Sequence, residues 1–292
     1  MLNLAWGLPG NLYLSEKMLT RWLYPPLALT AGYFLYDMYT TGDNNLAFIL
    51  PAALLLAGVY VLGPQINFWW SSRYPPQLEK PALGFLEKYH DFYRSLGTEQ
   101  AAEFRRRLIL IRMAKDFKSQ AQDDMPEEVR LVYAANLAHL TFGLDEFLLP
   151  DYETVVVYPR PFPSPTYPKT FHASETFDED GVLLFAARQL LNGFTQPEQF
   201  YNLCLHEQAV ALMHSHPDWD WPTFGDDTWE HLSQISSFSR EAITEWIGRP
   251  DVELTAVAIV HFLQFPRQMM TQMPGMYQQL SSVLANPFDR TS

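Results

Sequence analysis

One cysteine, Cys204, among 292 residues excludes a disulfide framework and any zinc cluster built on cysteine. Basic residues are also scarce. Twenty lysines and arginines stand against 33 aspartates and glutamates, a formal net charge of −13, so there is no basic surplus to neutralise phosphates and a general nucleic-acid binder is excluded. The chain lacks a glycine-rich phosphate loop, a G-x-S-x-G elbow, a carboxylate pair at an informative spacing and any internal repeat. What it has is apolar: 48% hydrophobic and 15% aromatic residues, enough for a sizeable core and too many for a disordered polyelectrolyte.

The charge is unevenly spread. Residues 1–80 hold Lys17, Arg21, Arg73 and Lys80 against Glu16, Asp37, Asp43 and Glu79, which cancel, so all of the net negative charge lies beyond residue 80. Within the neutral part, Leu46–Leu62 (LAFILPAALLLAGVYVL) runs without a charge and is followed by Phe68, Trp69 and Trp70. About 20 residues cross a bilayer and tryptophan suits its interface, so the pattern predicts a transmembrane helix over about 46–66. Trp22–Tyr36 (WLYPPLALTAGYFLY) predicts another over about 22–40, with Pro25-Pro26 near its start. The turn between them (DMYTTGDNN, 37–45) is acidic, whereas Lys17 and Arg21 precede the first segment and Arg73 and Lys80 follow the second. The positive-inside bias then places both chain ends in the cytoplasm. The start of the chain is not basic and no small-residue cleavage site follows it, so the segment reads as retained rather than as a cleaved signal. A membrane anchor with two helices over 1–70, in contact with the lipid bilayer, is therefore expected, then a linker with three prolines (71–81), then a cytoplasmic domain over 82–292.

Beyond the linker the periodicity turns helical. Phe85, Leu86, Tyr89, Phe92 and Tyr93 share one helix face, Thr98 with Glu99 and Gln100 predicts the start of a helix reaching about Lys118, and Pro126-Glu127-Glu128 opens another. Thr154–Tyr158 (TVVVY) reads as a buried strand; 169–177 and 182–185 read as a hairpin around Asp178–Gly181; helices resume near Pro197. Arg105, Arg106, Arg107 and Arg112 read as a solvated helix face that pairs with carboxylates. The expected class is mainly α with a small β-sheet (α+β), preceded by the transmembrane hairpin.

One stretch carries chemistry: Asn202-Leu203-Cys204-Leu205-His206-Glu207-Gln208-Ala209-Val210. In H-E-x-x-H two histidines four residues apart share one helix face and bind a single zinc while the glutamate acts as general base. Here the second position is Val210, and a bare His-Glu reads equally well as a core histidine beside a glutamate. The order of segments, however, resembles the MtfA-like zinc-dependent peptidases. The resemblance rests on Val155–Pro159 with Phe162, on Gly181–Phe185, on Leu191-Asn192-Gly193, on Asn202–Glu207 and on Glu253–Pro266 (ELTAVAIVHFLQFP). It implies a zincin-like fold in which His206 is the first zinc histidine and Glu207 the general base. The second histidine falls on Val210 and the glutamate ligand on Val260, with Ile259 before it.

Catalytic zinc takes three protein ligands and a water. The resemblance, with two of three ligands aliphatic, therefore implies a degenerate member with no metal, no cofactor and no catalytic residue, His206 and Glu207 being vestigial. The expected function is a pseudopeptidase of the bacterial inner membrane serving as a binding, scaffold or accessory subunit of a membrane protein complex. The strand Val182, Leu183, Leu184, Phe185 is expected to flank the cleft and to take up an extended peptide by strand addition. The rival reading is an active zinc metallopeptidase with a displaced site of His206, Glu207 and His261, although His261 should point about 100° away from Val260 on its helix. His214, His216, Asp218 and Asp220 read as a polar loop after a helix end, His90, His139, His172 and His231 as isolated surface or satisfied core groups, and Cys204 as an apolar filler.

Overall fold

The computed structural model describes residues 19–42, 46–121 and 125–284, and the chain divides into two compact units, 1–77 and 78–292. The first unit holds α1 (Leu19–Thr41), α2 (Leu46–Val61) and α3 (Gly63–Arg73). Helices α1 and α2 run antiparallel: the Phe34 and Phe48 rings stack at 4.8 Å, and at the other end Thr20 is bonded to Asn67 of α3. The helix expected over 46–66 is thus two helices, broken at Leu62 where Pro64 opens α3, a first-turn position at which a missing N–H costs nothing. Among the described residues no single helix is long and apolar enough to cross a membrane; α2 and α3 reach that length together but are bent by 68°. Lys17 and most of the loop that joins α1 to α2 lie outside the described residues.

The second unit begins with α4 (Lys80–Tyr89), α5 (Asp91–Ser95) and α6 (Thr98–Ala114). The helical pattern over Phe85–Tyr93 is interrupted at His90, whose Nδ1 accepts from Tyr93 N–H and caps α5. Helix α6 ends at Ala114, short of the expected Lys118, because Asp116–Ser119 forms a strand, β1, paired in parallel with β2 (Thr154–Tyr158). A ladder formed with residues some forty positions away overrides local helical spacing there. Helix α7 (Glu127–Leu140) starts after Pro126 as its acidic first turn predicts. The hairpin is present as β3 (Ser174–Phe177) and β4 (Val182–Ala186), with Gly181 left-handed at φ 60°. The sheet order is β1-β2-β4-β3, with only β3 antiparallel.

The remaining helices are α8 (Ala187–Thr195), α9 (Leu203–Ser215), α10 (Thr228–Ser236), α11 (Arg240–Ile247), α12 (Leu254–Gln264), α13 (Pro266–Gln272) and α14 (Pro274–Leu284). Helices α7, α9 and α12 are apolar on nearly every side and fill the centre of the core, with α9 packed against both of the others. The arginine run pairs with carboxylates as expected, but it is not a wholly solvated face, since the Arg107 and Arg112 side chains are largely buried. Arg106 and Arg107 bond Glu103, Arg107 also donates to the Thr141 and Leu144 carbonyls, and Arg112 pairs with Glu127.

Candidate functional site

Helix α9 starts at Asn202, whose Oδ1 accepts from Leu205 N–H while its Nδ2 donates to Asn136 of α7. That double use of one amide caps the helix and pins its first turn to α7. From Leu203 to Leu212 every residue is buried, so His206 and Glu207 emerge from a core helix rather than a surface one.

The two neighbours diverge. His206 is fully buried, with Nδ1 2.9 Å from the Tyr201 hydroxyl and no partner at Nε2. Burial drives its pKa down to about 4, against the opposing pull of the Glu207 carboxylate. Glu207 points to the edge strand. Its Oε1 accepts from Ser174 Oγ at 2.7 Å and from the Arg249 guanidinium at 2.8 Å, and its Oε2 accepts from Thr176 Oγ1 at 2.8 Å. Both carboxylate oxygens are therefore committed inside the protein. Arg249 is itself buried, and its guanidinium lies 5.8 Å from the centre of the Tyr167 ring, whose hydroxyl donates to Asp251. Burial works against the guanidinium charge, but Glu207 and Asp251 outweigh it and hold the Arg249 pKa above its usual value.

Gly248 delivers Arg249 to this position. It ends α11 with φ +87°, and a Cβ there would stand 2.6 Å from the Phe171 carbonyl oxygen and 2.9 Å from His172 Cα. Gly248→Ala is expected to cost about 2 kcal/mol or more, because left-handed strain adds to a clash with backbone that cannot swing aside. Thermal unfolding of the variant beside wild type checks this; an unchanged midpoint would refute it.

One turn after His206 stands Val210, and on α12 stands Val260; both are buried in the hydrophobic core. His261, the residue invoked for a displaced site, is turned elsewhere. Its Nε2 lies 2.7 Å from Ser236 Oγ and its Nδ1 2.8 Å from the Val257 carbonyl oxygen, and burial lowers its pKa to about 4. The arrangement of His206, Glu207 and His261 as one site is not formed, since the His261 nitrogens and the Glu207 oxygens are each bonded to other groups.

The other histidines separate into distinct kinds. His214 pairs with Asp178 at 3.0 Å and His216 stacks on Trp219, which makes 214–220 the polar helix end that was expected. His172 and Glu175 form a buried pair at 2.9 Å. His90 and His139 are not isolated: both are buried, with ring centres 5.2 Å apart. Cys204 is buried and its thiol pKa is pushed up by burial, as fits a filler. The strand Val182–Phe185 is β4, hydrogen-bonded to β2 on one side and β3 on the other, so it offers no open edge to a peptide. The expectation of strand addition there fails because β3, earlier in the chain, takes the outer place in the sheet.

Among the described residues no group of three or more His, Cys, Asp or Glu side chains is placed to hold a metal ion. A family model, that of the glucose-regulated metallo-peptidases M90, matches residues 69–284. The chain belongs to this family. No curated protein matches it. Membership of M90 implies a catalytic metal, and the donor set found here does not fit one. Of the positions at which the resemblance implies ligands, His206, Val210 and Val260, only His206 carries a donor atom, its unpaired Nε2, and one imidazole does not make a catalytic zinc site. For an M90 member, the residues that sequence reasoning missed are Ser174, Thr176, Tyr201 and Arg249. The one local signal was Ser174 and Thr176 at strand spacing, two polar side chains on the same face of a buried hairpin.

Proposed function

We propose that this M90 member is a membrane-anchored pseudopeptidase that acts as a binding, scaffold or accessory subunit of a membrane complex and does not cut peptide bonds. The observation that carries the reading is the fate of the motif. The two missing ligand positions are buried valines, and the glutamate that would take a proton from water is bound by a guanidinium and two hydroxyls. Without a bound metal the attacking water keeps a pKa of about 15.7 instead of about 7, and the scissile carbonyl lacks a Lewis acid.

Support for the membrane location comes from the first unit, which is built inside out. Among its described residues the buried ones are Thr20, Ala52, Gly63, Asn67 and Ser71, whereas Trp22 is 73% exposed and Leu50, Leu54 and Tyr60 are also open. In water such a unit would expose a large apolar surface; in a bilayer it matches its solvent. The neutral charge of residues 1–80 agrees, and Arg21 and Arg73 at the same end of the hairpin support a reading with both termini in the cytoplasm of a bacterial inner membrane.

Metal analysis of the full-length protein purified in detergent tests the reading. Zinc is expected to stay far below one equivalent per chain, with no chelator-sensitive proteolysis. One tightly held equivalent that disappears in His206→Ala would sink it. Co-purification from the protein's own membranes is expected to bring down companion membrane proteins that a chain lacking residues 1–70 no longer retains.

A further inference from the structure

Helix α3 is amphipathic in the wrong sense for water. At a spacing of four residues, Gly63, Asn67 and Ser71 form one stripe, and all three are buried, while Trp69 on another face is 60% exposed. The polar stripe has a partner. Asn67 Oδ1 accepts from Thr20 N–H at 3.2 Å, its Nδ2 donates to Thr20 Oγ1 at 3.0 Å, and a Cβ on Gly63 would stand 3.7 Å from Thr20 Cγ2. The start of α1 and the first half of α3 are thereby clasped together at one end of the hairpin.

The levels of the two long helices follow from the same contacts. With Phe34 beside Phe48 and Thr20 beside Gly63, the charge-free stretch 22–36 of α1 lies alongside 46–61 of α2, bounded by Arg21 at one end and Asp37 at the other. Sixteen residues of α2 make an apolar slab about 24 Å deep at 1.5 Å per residue, less than a hydrocarbon core of about 30 Å. The chain then turns by 68° instead of continuing outward, and the turned segment carries Trp69, Trp70 and, just beyond it, Tyr74, with Arg73 beside them. Aromatic rings with a polar edge and a long cationic stem are the side chains that favour the headgroup boundary.

We propose that α3 is not the end of a membrane span but an interfacial helix. It lies along the cytoplasmic headgroup layer, held there by the Thr20–Asn67 clasp, with its aromatic face in the lipid boundary. The proposal rests on the reading of α1 and α2 as a membrane hairpin. The occupant of the exposed aromatic face is the lipid boundary itself rather than another protein: a span of about 24 Å stops about 6 Å short of a full hydrocarbon core, which leaves the turned helix at the hydrocarbon edge, beside the headgroups.

Single cysteines placed at Leu54, Gln65, Trp69 and Arg73 of the full chain, spin-labelled and reconstituted into phosphatidylcholine vesicles with one-third phosphatidylglycerol, test it; Cys204 is buried and stays in place. Depth is read from the relative accessibility to oxygen and to a water-soluble nickel chelate. The label at 54 is expected near the bilayer middle. Those at 65, 69 and 73 are expected at the level of the lipid carbonyls and within about 4 Å of one another in depth, since eight residues on a helix inclined by 68° to the span advance only that far. A steady change of about 12 Å across 65, 69 and 73, as in a straight helix, would overturn the interfacial placement while leaving the anchor intact. So would a deep label at 54 with the other three in water or shielded from both probes, the latter being the mark of a protein partner. A label at 54 outside the lipid would overturn the anchor itself and this inference with it.

Discussion

Glu207→Ala is expected to destabilise the second unit by about 3–5 kcal/mol, the cost of leaving a buried guanidinium without its counter-charge. The structure makes the loss heavier than that of one ion pair. Arg249 and the hydroxyls of Ser174 and Thr176 would all lose their acceptor at once, and they come from β3 and from the turn after α11. Arg249→Met should cost a similar amount by stranding the carboxylate. Glu207→Gln keeps one acceptor oxygen, puts an amide donor in place of the other and loses the charge, and should fall between wild type and Glu207→Ala. The combined variant Glu207→Leu/Arg249→Met should recover more than half of the sum of the single losses, since neither partner is then left buried alone. Chemical denaturation of the four variants and the wild type reads these values. The outcome separates two roles: a glutamate kept as general base tolerates Gln with little loss of stability, whereas one kept as a structural anion does not. Equal stability of Glu207→Ala and wild type would dismiss the structural assignment.

Acid is the second strong perturbation. Four buried histidines are held neutral: His90 with a pKa near 3, from burial and then the Arg94 charge; His206 and His261 near 4; and His139 well below 6.5, all through burial first. The sign follows from proton uptake. The unfolded chain protonates these rings from about pH 6.5 downward while the folded chain does not, so acidification favours unfolding until the folded pKa values are reached. At about 1.4 kcal/mol per pKa unit, each ring shifted by two to three units removes about 3 kcal/mol between pH 6.5 and pH 4. Several together rival the 5–15 kcal/mol that a domain has in total. Unfolding between about pH 6 and pH 4 is the expected result, with thermal midpoints at a series of pH values as the measurement. His206→Phe, which removes one titrating ring whose single hydrogen bond is to Tyr201, should move the acid transition to lower pH. Midpoints that stay level from pH 7 to pH 4 would contradict the assignment of neutral buried rings.

How far these features can be read without the fold differs from residue to residue. Val210 was legible because H-E-x-x-H spans one helical turn, so a departure from it shows as a different letter, whereas Val260 was assigned only through the resemblance of the 253–266 segment. Strand β2 was legible because a run of valines between turn residues has few other uses. Strand β1 was not, since DFKS has no alternating pattern and becomes a strand only because the β2 edge offers it a ladder. The break at Leu62 was missed because an apolar run and a following Trp-Trp look continuous, and the 68° bend and the bond from Thr20 to Asn67 appear only in the folded chain.

By itself, then, the sequence determined the mainly helical class, the neutral apolar first part and the presence of valine one turn after His206-Glu207. Each of these is a matter of composition or of spacings within a few residues. The tertiary structure alone decided what became of Glu207. Its partners lie 33, 31 and 42 positions away, and they meet because β3 closes the sheet next to α9 and Gly248 turns the chain toward it. Pairing of charges across such separations leaves no periodic trace in the sequence. It is enforced by the cost of burying a carboxylate without partners, and that cost exists only once the core has formed around it.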